Sequence, residues 1–246
     1  MATDATPASA SASPGFFGIL GNLYFAPSEA FAAILKRPSF WVPLLLMAVL
    51  NASFTLVWLS KVDAKGFMKA QIVASGRTGQ MTAEQRDEVI EQQAKMLPIF
   101  GAIGPFAAVA FGLIVAAVLV FVFRFFYASE VTFKQALAIS AWVFVAIGIV
   151  TTPILLLTLF LKDDWTLNPG EVLQANPSLF FEKSDVPAPV FALLQSLDLF
   201  SFWMIALLAI GFGLASRTRL GSAIWGVVVP WALIVAVKVG WTAMFH

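Results

Sequence analysis

Five long apolar stretches of this chain carry no Asp, Glu, Lys or Arg, and that feature does most to fix what the chain can fold into. They are Pro38 to Ser60, Met96 to Phe123, Gln135 to Leu161, Leu199 to Ser216 and Leu220 to Val237. A helix crosses the roughly 30 Å hydrocarbon layer with about 20 apolar residues. In lipid its backbone polar groups must be satisfied within the segment, which selects the helix. The ten-residue alternating segments of a β-barrel are not seen. The predicted class is all-α: a polytopic membrane protein with five transmembrane helices, near 39–60, 98–126, 135–161, 194–216 and 220–243. Composition agrees, with 60% hydrophobic and 12% charged residues and a mean hydropathy of +0.87. Soluble proteins carry roughly 45–50% apolar and about 25% charged residues.

Residues 1–15, rich in Ala, Ser, Thr and Pro, read as a disordered tail, with residues 16–246 as one membrane domain. The start lacks the basic and apolar regions of a signal peptide. Phe16 to Phe25 is apolar but too short to span. Pro27-Ser28-Glu29 opens a short helical pattern with Phe31, Ile34 and Leu35 on one side, closed by Lys36-Arg37-Pro38. This is predicted as an interfacial helix. Between spans one and two, Gly76 to Gly79 reads as a loop. Thr82 and Gln85 then form a capping-box pattern that starts an extramembrane helix over Ala83 to Leu97. Its narrow apolar stripe is Ile90, Ala94 and Leu97, and Glu91 and Lys95 are ordered for an i,i+4 pair.

Loop charges set the expected orientation. Lys36, Arg37, Arg124, Lys134, Arg217 and Arg219 share one side of a five-span chain, while Lys162 to Asp185 holds two basic against five acidic residues. The N-terminus is thus expected in the cytoplasm. The six basic residues between Lys61 and Lys95 run against the rule. In the acidic loop, Asn168-Pro169-Gly170 and Asn176-Pro177 are turn signals. Asp163-Asp164 lacks the spacing of a metal loop.

The inventory for chemistry is thin. There is no Cys, the single His is His246, and no nucleotide, metalloprotease or calcium-loop motif occurs. No catalytic residue, cofactor or metal is expected. A net charge of +1 gives no electrostatic case for nucleic acid. The expected partners are the lipid bilayer and possible membrane-protein or homodimer contacts. Three constellations remain. Asp198 and Lys238 lie 20 residues before and after Thr218, so an antiparallel hairpin puts both roughly 30 Å from the turn. They are candidates for an intramembrane charge pair; the alternatives are a dipole-stabilised anion for Asp198 and a snorkelling Lys238. Ala108, Gly112 and Ala116 are small residues at four-residue spacing, suited to helix packing within the chain or to a dimer face. Asn51 is a polar side chain at membrane depth, expected to hydrogen-bond a neighbouring helix. Pro105, Pro153 and Pro230 suggest kinks.

The chain also resembles the bacterial branch of the Yip1 domain family. The residues that carry the likeness are Pro27-Ser28-Glu29-Ala30-Phe31, then Lys36-Arg37-Pro38, then five spans. More specific is Leu197-Asp198-Leu199-Phe200 running into Phe202-Trp203 and Leu207-Leu208-Ala209-Ile210-Gly211. This looks like the family's D-x-F…W…L-x-x-G opening of the fourth span. The resemblance implies a five-helix membrane bundle placed in a bacterial cytoplasmic membrane. Eukaryotic relatives are associated with vesicle trafficking and Rab GTPases, but no Rab-contact motif is matched here. The function expected is therefore a non-enzymatic membrane organiser or scaffold. A small-solute transporter, permease or channel subunit is the alternative, marked by a water-accessible cavity at mid-membrane lined by Asn51, the backbone around Pro153, or Asp198.

Overall fold

The computed structural model describes residues 15–75, 79, 81–173, 175–181 and 185–245. The expected tail, most of the Gly76–Gly79 loop, and Glu182, Lys183 and His246 lie outside them. Among the described residues there is no strand. The helices are α1 (Phe16–Phe25), α2 (Pro27–Lys36), α3 (Trp41–Lys61), α4 (Ala64–Ala74), α5 (Ala83–Tyr127), α6 (Phe133–Lys162), α7 (Pro169–Val172), α8 (Ala188–Ser196), α9 (Leu199–Ser216) and α10 (Leu220–Phe245). A 3₁₀ turn covers Pro177–Phe180.

Five of these, α3, α5, α6, α9 and α10, are long and apolar enough to cross a membrane. Their outer faces are greasy: Trp41, Leu45, Phe106, Phe121, Leu233 and Val237 are all exposed. A soluble monomer rarely shows contiguous apolar patches beyond a few hundred Å². This surface is what lipid contacts, and the protein is a multi-pass membrane protein.

The extramembrane helix expected before span two is present and is continuous with it. α5 is 45 residues long, about 68 Å at 1.5 Å per residue, and runs on through Pro98 and Pro105. Its start is the capping box: Gln85 N donates to Thr82 Oγ1 at 3.2 Å and Thr82 N to Gln85 Oε1 at 3.0 Å. The stripe of Ile90, Ala94 and Leu97 is buried, because α4 packs against this projecting part. Asp63 caps α4, accepting from Lys65 N and Gly66 N at 3.2 and 3.1 Å. Glu91 and Lys95 pair at 2.9 Å, and that hydrogen bond and charge hold the Glu91 carboxyl below its ordinary value.

The core has two parts. At the end where the short loops carry Arg124 and Arg217, Phe31, Phe123, Ile139 and Phe212 are fully buried, and Phe123 stacks on Phe212 at 5.0 Å. Tyr127 donates to the carbonyl of Ser222 at 2.9 Å, which ties α5 to α10. At the opposite end Trp58, Phe67, Leu97, Leu159 and Trp165 form a second cluster. Here the acidic loop folds back on the bundle. Asn168 caps α7 and Asn176 caps the 3₁₀ turn, as the turn signals suggest. Asp164 Oδ1 accepts from Thr166 N and Oγ1 at 2.9 and 2.7 Å; these bonds lower its carboxyl pKa and use the oxygen in a turn.

The N-terminal helix meets protein on its apolar face. Ala30, Phe31 and Ile34 are 0–2% exposed, packed between α6 and α9. Tyr24 of α1 donates to the carbonyl of Ala146 at 2.7 Å and sits 5.7 Å from the Trp203 ring. Ala146 lies 13 residues beyond the start of α6, about 20 Å along it. So α1 and α2 form a hairpin that dips into the bundle, with its bend deep and Lys36 at the end that holds Arg124.

Candidate functional site

Asn51 is the middle residue of α3, with ten residues on either side. Its Oδ1 is buried without a hydrogen-bond partner. That oxygen lies 3.0 Å from where a Cβ on Gly104 would stand, so the missing side chain of Gly104 is what admits it. An unpaired buried acceptor costs about 1–3 kcal/mol, so the site carries an unmet demand for a donor. Beside it is a cavity of about 320 Å³ that Asn51, Phe54, Ala108, Gly148, Thr152 and Gly170 help to line. α3, α5 and α6 form its walls, and Pro169 and Gly170 of α7, from the folded-back loop, stand at its edge. Leu50 Cδ1 is 3.5 Å from the Gly148 Cβ position, so small residues on both α5 and α6 make the space.

Toward the Arg124 end, Phe31, Phe123, Ile139 and Phe212 are fully buried. Among the described residues the buried polar side chains are Ser140 and Ser178, and neither is a strong acid or base.

The small-residue stripe is used within the chain. Ala116 is 0% exposed, and a Cβ on Gly112 would meet Met47, Phe144 and Leu44 at 3.5–3.9 Å. Ala108, one turn up, lines the cavity.

Asp198 and Lys238 reach one level but make no ion pair within 4.0 Å of each other. Asp198 instead caps α9: its Oδ2 accepts from Ser201 N at 3.0 Å, while Oδ1 is buried and unpartnered. Lys238 Nζ donates to Ser196 Oγ at 3.4 Å. The reason is local. Asp198 has extended backbone, and Leu199 N donates to the Ala175 carbonyl at 3.0 Å, so α8 ends at Ser196 and the carboxylate turns down onto α9. Exchanging Asp198 and Lys238 singly and together is expected to show a coupling below about 0.5 kcal/mol, the level of independent sites. The single Asp198→Ala change is expected to cost about 1 kcal/mol as a lost cap. Thermal unfolding of wild type and the four variants in detergent measures both, and full rescue in the double exchange would show a direct pair.

Gly148 and Gly170 are not legible as site residues, whereas Thr152 belongs to the backbone around Pro153 that the sequence marks as a candidate cavity lining.

The cap and the tight crossing both fall in the L-D-L-F…L-x-x-G segment. Gly211, its last residue, faces Ile139 and Phe31, with 2.6 and 3.1 Å to the position of a Cβ. A scan against family models matches the Yip1 domain over residues 21–241. The chain belongs to the Yip1 domain family. No curated protein and no solved structure matches it. The family match covers half of α1, all of α2 to α9, most of α10 and every residue named at the cavity, so the site lies inside the Yip1 domain.

Proposed function

We propose that this Yip1 domain protein is a non-enzymatic organiser of the membrane, a scaffold that holds other membrane components through its parts outside the bilayer. The observation that carries this reading is the division of the molecule. Among the described residues the buried side chains are almost all apolar, while α5 is about 38 Å longer than a roughly 30 Å hydrocarbon layer, and α4 packs against it. A projecting helical pair on a largely apolar bundle suits holding better than turnover. By the positive-inside rule we place the Arg124 end in the cytoplasm and the α4–α5 arm on the other face of a bacterial cytoplasmic membrane. The test is site-specific photocrosslinking in native membranes, with the probe at Glu88 on the arm and, as control, at Leu233 on the lipid face of α10. A defined protein adduct at Glu88 and none at Leu233 is expected. No adduct at Glu88 overturns the scaffold reading.

The cavity at Asn51 favours a second reading, a small-solute pathway. Since the chain has no Cys, Asn51→Cys supplies a single thiol. Under the scaffold reading no solute path reaches Asn51 from bulk water, and a membrane-impermeant maleimide is expected to label this thiol at least about tenfold more slowly than a thiol at exposed Glu88, as burial limits thiol reactivity. Equal rates would favour the pathway.

A further inference from the structure

We infer that the groove beside Arg124 is a binding site for an anionic phospholipid of the leaflet at that end of the bundle. One wall is α5, where Ala117, Val120, Phe121, Arg124 and Phe125 share a face; the other is Phe133 at the start of α6. The space is about 540 Å³, and apart from Arg124 every wall residue is apolar. Phe121 and Phe125 stack at 5.4 Å, which makes the α5 wall flat.

The cation is held in place. Arg124 Nε donates to the Val131 carbonyl at 2.9 Å, and Val131 is itself 0% exposed. The turn is set by Ala128, left-handed at φ 48°, and by Ser129 N donating to the Phe123 carbonyl at 3.2 Å. With Nε engaged, the two terminal nitrogens of the guanidinium remain as a fork, the geometry that takes a phosphate bidentately. Arg124 forms no ion pair with a carboxylate among the described residues; Glu130, six residues on, lies beyond 4.0 Å. Lys134 adjoins Phe133 and adds positive charge at the same rim.

A cation at the interface above a groove that runs down the span matches one kind of molecule: a phosphate head on an acyl chain. A free phosphate would leave the apolar wall unused, and an acidic peptide would have to bury its backbone against Phe121 and Phe125. The commitment is therefore to a phospholipid with net negative charge.

Native mass spectrometry of the full chain in detergent tests this, titrating dioleoyl phosphatidylglycerol against dioleoyl phosphatidylcholine. Wild type is expected to hold the anionic lipid about tenfold more tightly, the scale of one charge-assisted bidentate contact. Arg124→Gln is expected to bring the two lipids level. Ala117→Trp, which fills the groove and leaves the arginine, is expected to weaken both, with the unfolding midpoint checked for each variant. If Arg124→Gln does not fold, Ala117→Trp carries the test alone. Equal binding of the two lipids by wild type, an unchanged preference in folded Arg124→Gln, or unchanged binding of both lipids by folded Ala117→Trp, overturns the inference. So does displacement of the lipid by millimolar inorganic phosphate or by a short acidic peptide.

Discussion

Replacing Gly211 with Val is expected to stop the Arg124-end core from closing, and Gly211→Ala to lower stability by about 1–3 kcal/mol, the range for overpacking. Ala is the better helix former by about 1 kcal/mol, so the sign turns on the neighbours. A Cβ at this position would stand 2.6 Å from Ile139 Cγ2 and 3.1 Å from two ring carbons of Phe31. Ile139 is β-branched, hence stiff at χ1, and both neighbours are 0% exposed. They have nowhere to go, and the clash outweighs the propensity. Thermal unfolding in detergent, followed by Trp fluorescence, reads the effect. A Val variant that melts with wild type would show that α2, α6 and α9 do not meet as described.

The second large effect is expected from the other side of the same contact. Phe31→Ala is expected to cost about 2–4 kcal/mol. Loss of a buried Phe costs about 3–5 kcal/mol in water-soluble cores, and part of that is transfer from water, which lipid reduces. The void left between α6 and α9 is not reduced. The loss is local, so hydrogen exchange is expected to rise across 16–36 while the centre of α6 keeps its protection. Uniform loss of protection would instead make the dipping hairpin a keystone of the whole bundle.

The five long helices were legible because lipid leaves so few options to an uncharged run of 18 residues or more. Thr82 and Gln85 were legible as a capping box. The identical pattern at Thr132 and Gln135, where Gln135 N donates to Thr132 Oγ1 at 3.2 Å, carries the same signal at the start of α6. α4 was missed although Asp63 stands where an N-cap belongs; Lys65, Gly66 and Lys69 dilute its apolar pattern. Asn51 and the backbone around Pro153 were legible as a candidate cavity lining, but the rest of the cavity was not. It depends on Ala108 and Gly148, 40 residues apart, leaving space on facing helices, and on Trp165 and Leu167 packing the folded-back loop near Trp58. No local pattern encodes a meeting of distant residues. The expectation for α2 located the helix but not the receiver of its apolar face, since Gly211 lies 180 residues beyond Phe31.

That distance bears on biogenesis. Chains emerge from the ribosome N-terminus first, at roughly 5–20 residues per second. Residues 16–36 are made well before α9, yet the berth that receives them is built partly from α9. They must wait for it to be made. A nascent chain cut short before residue 211 has no finished place to put them.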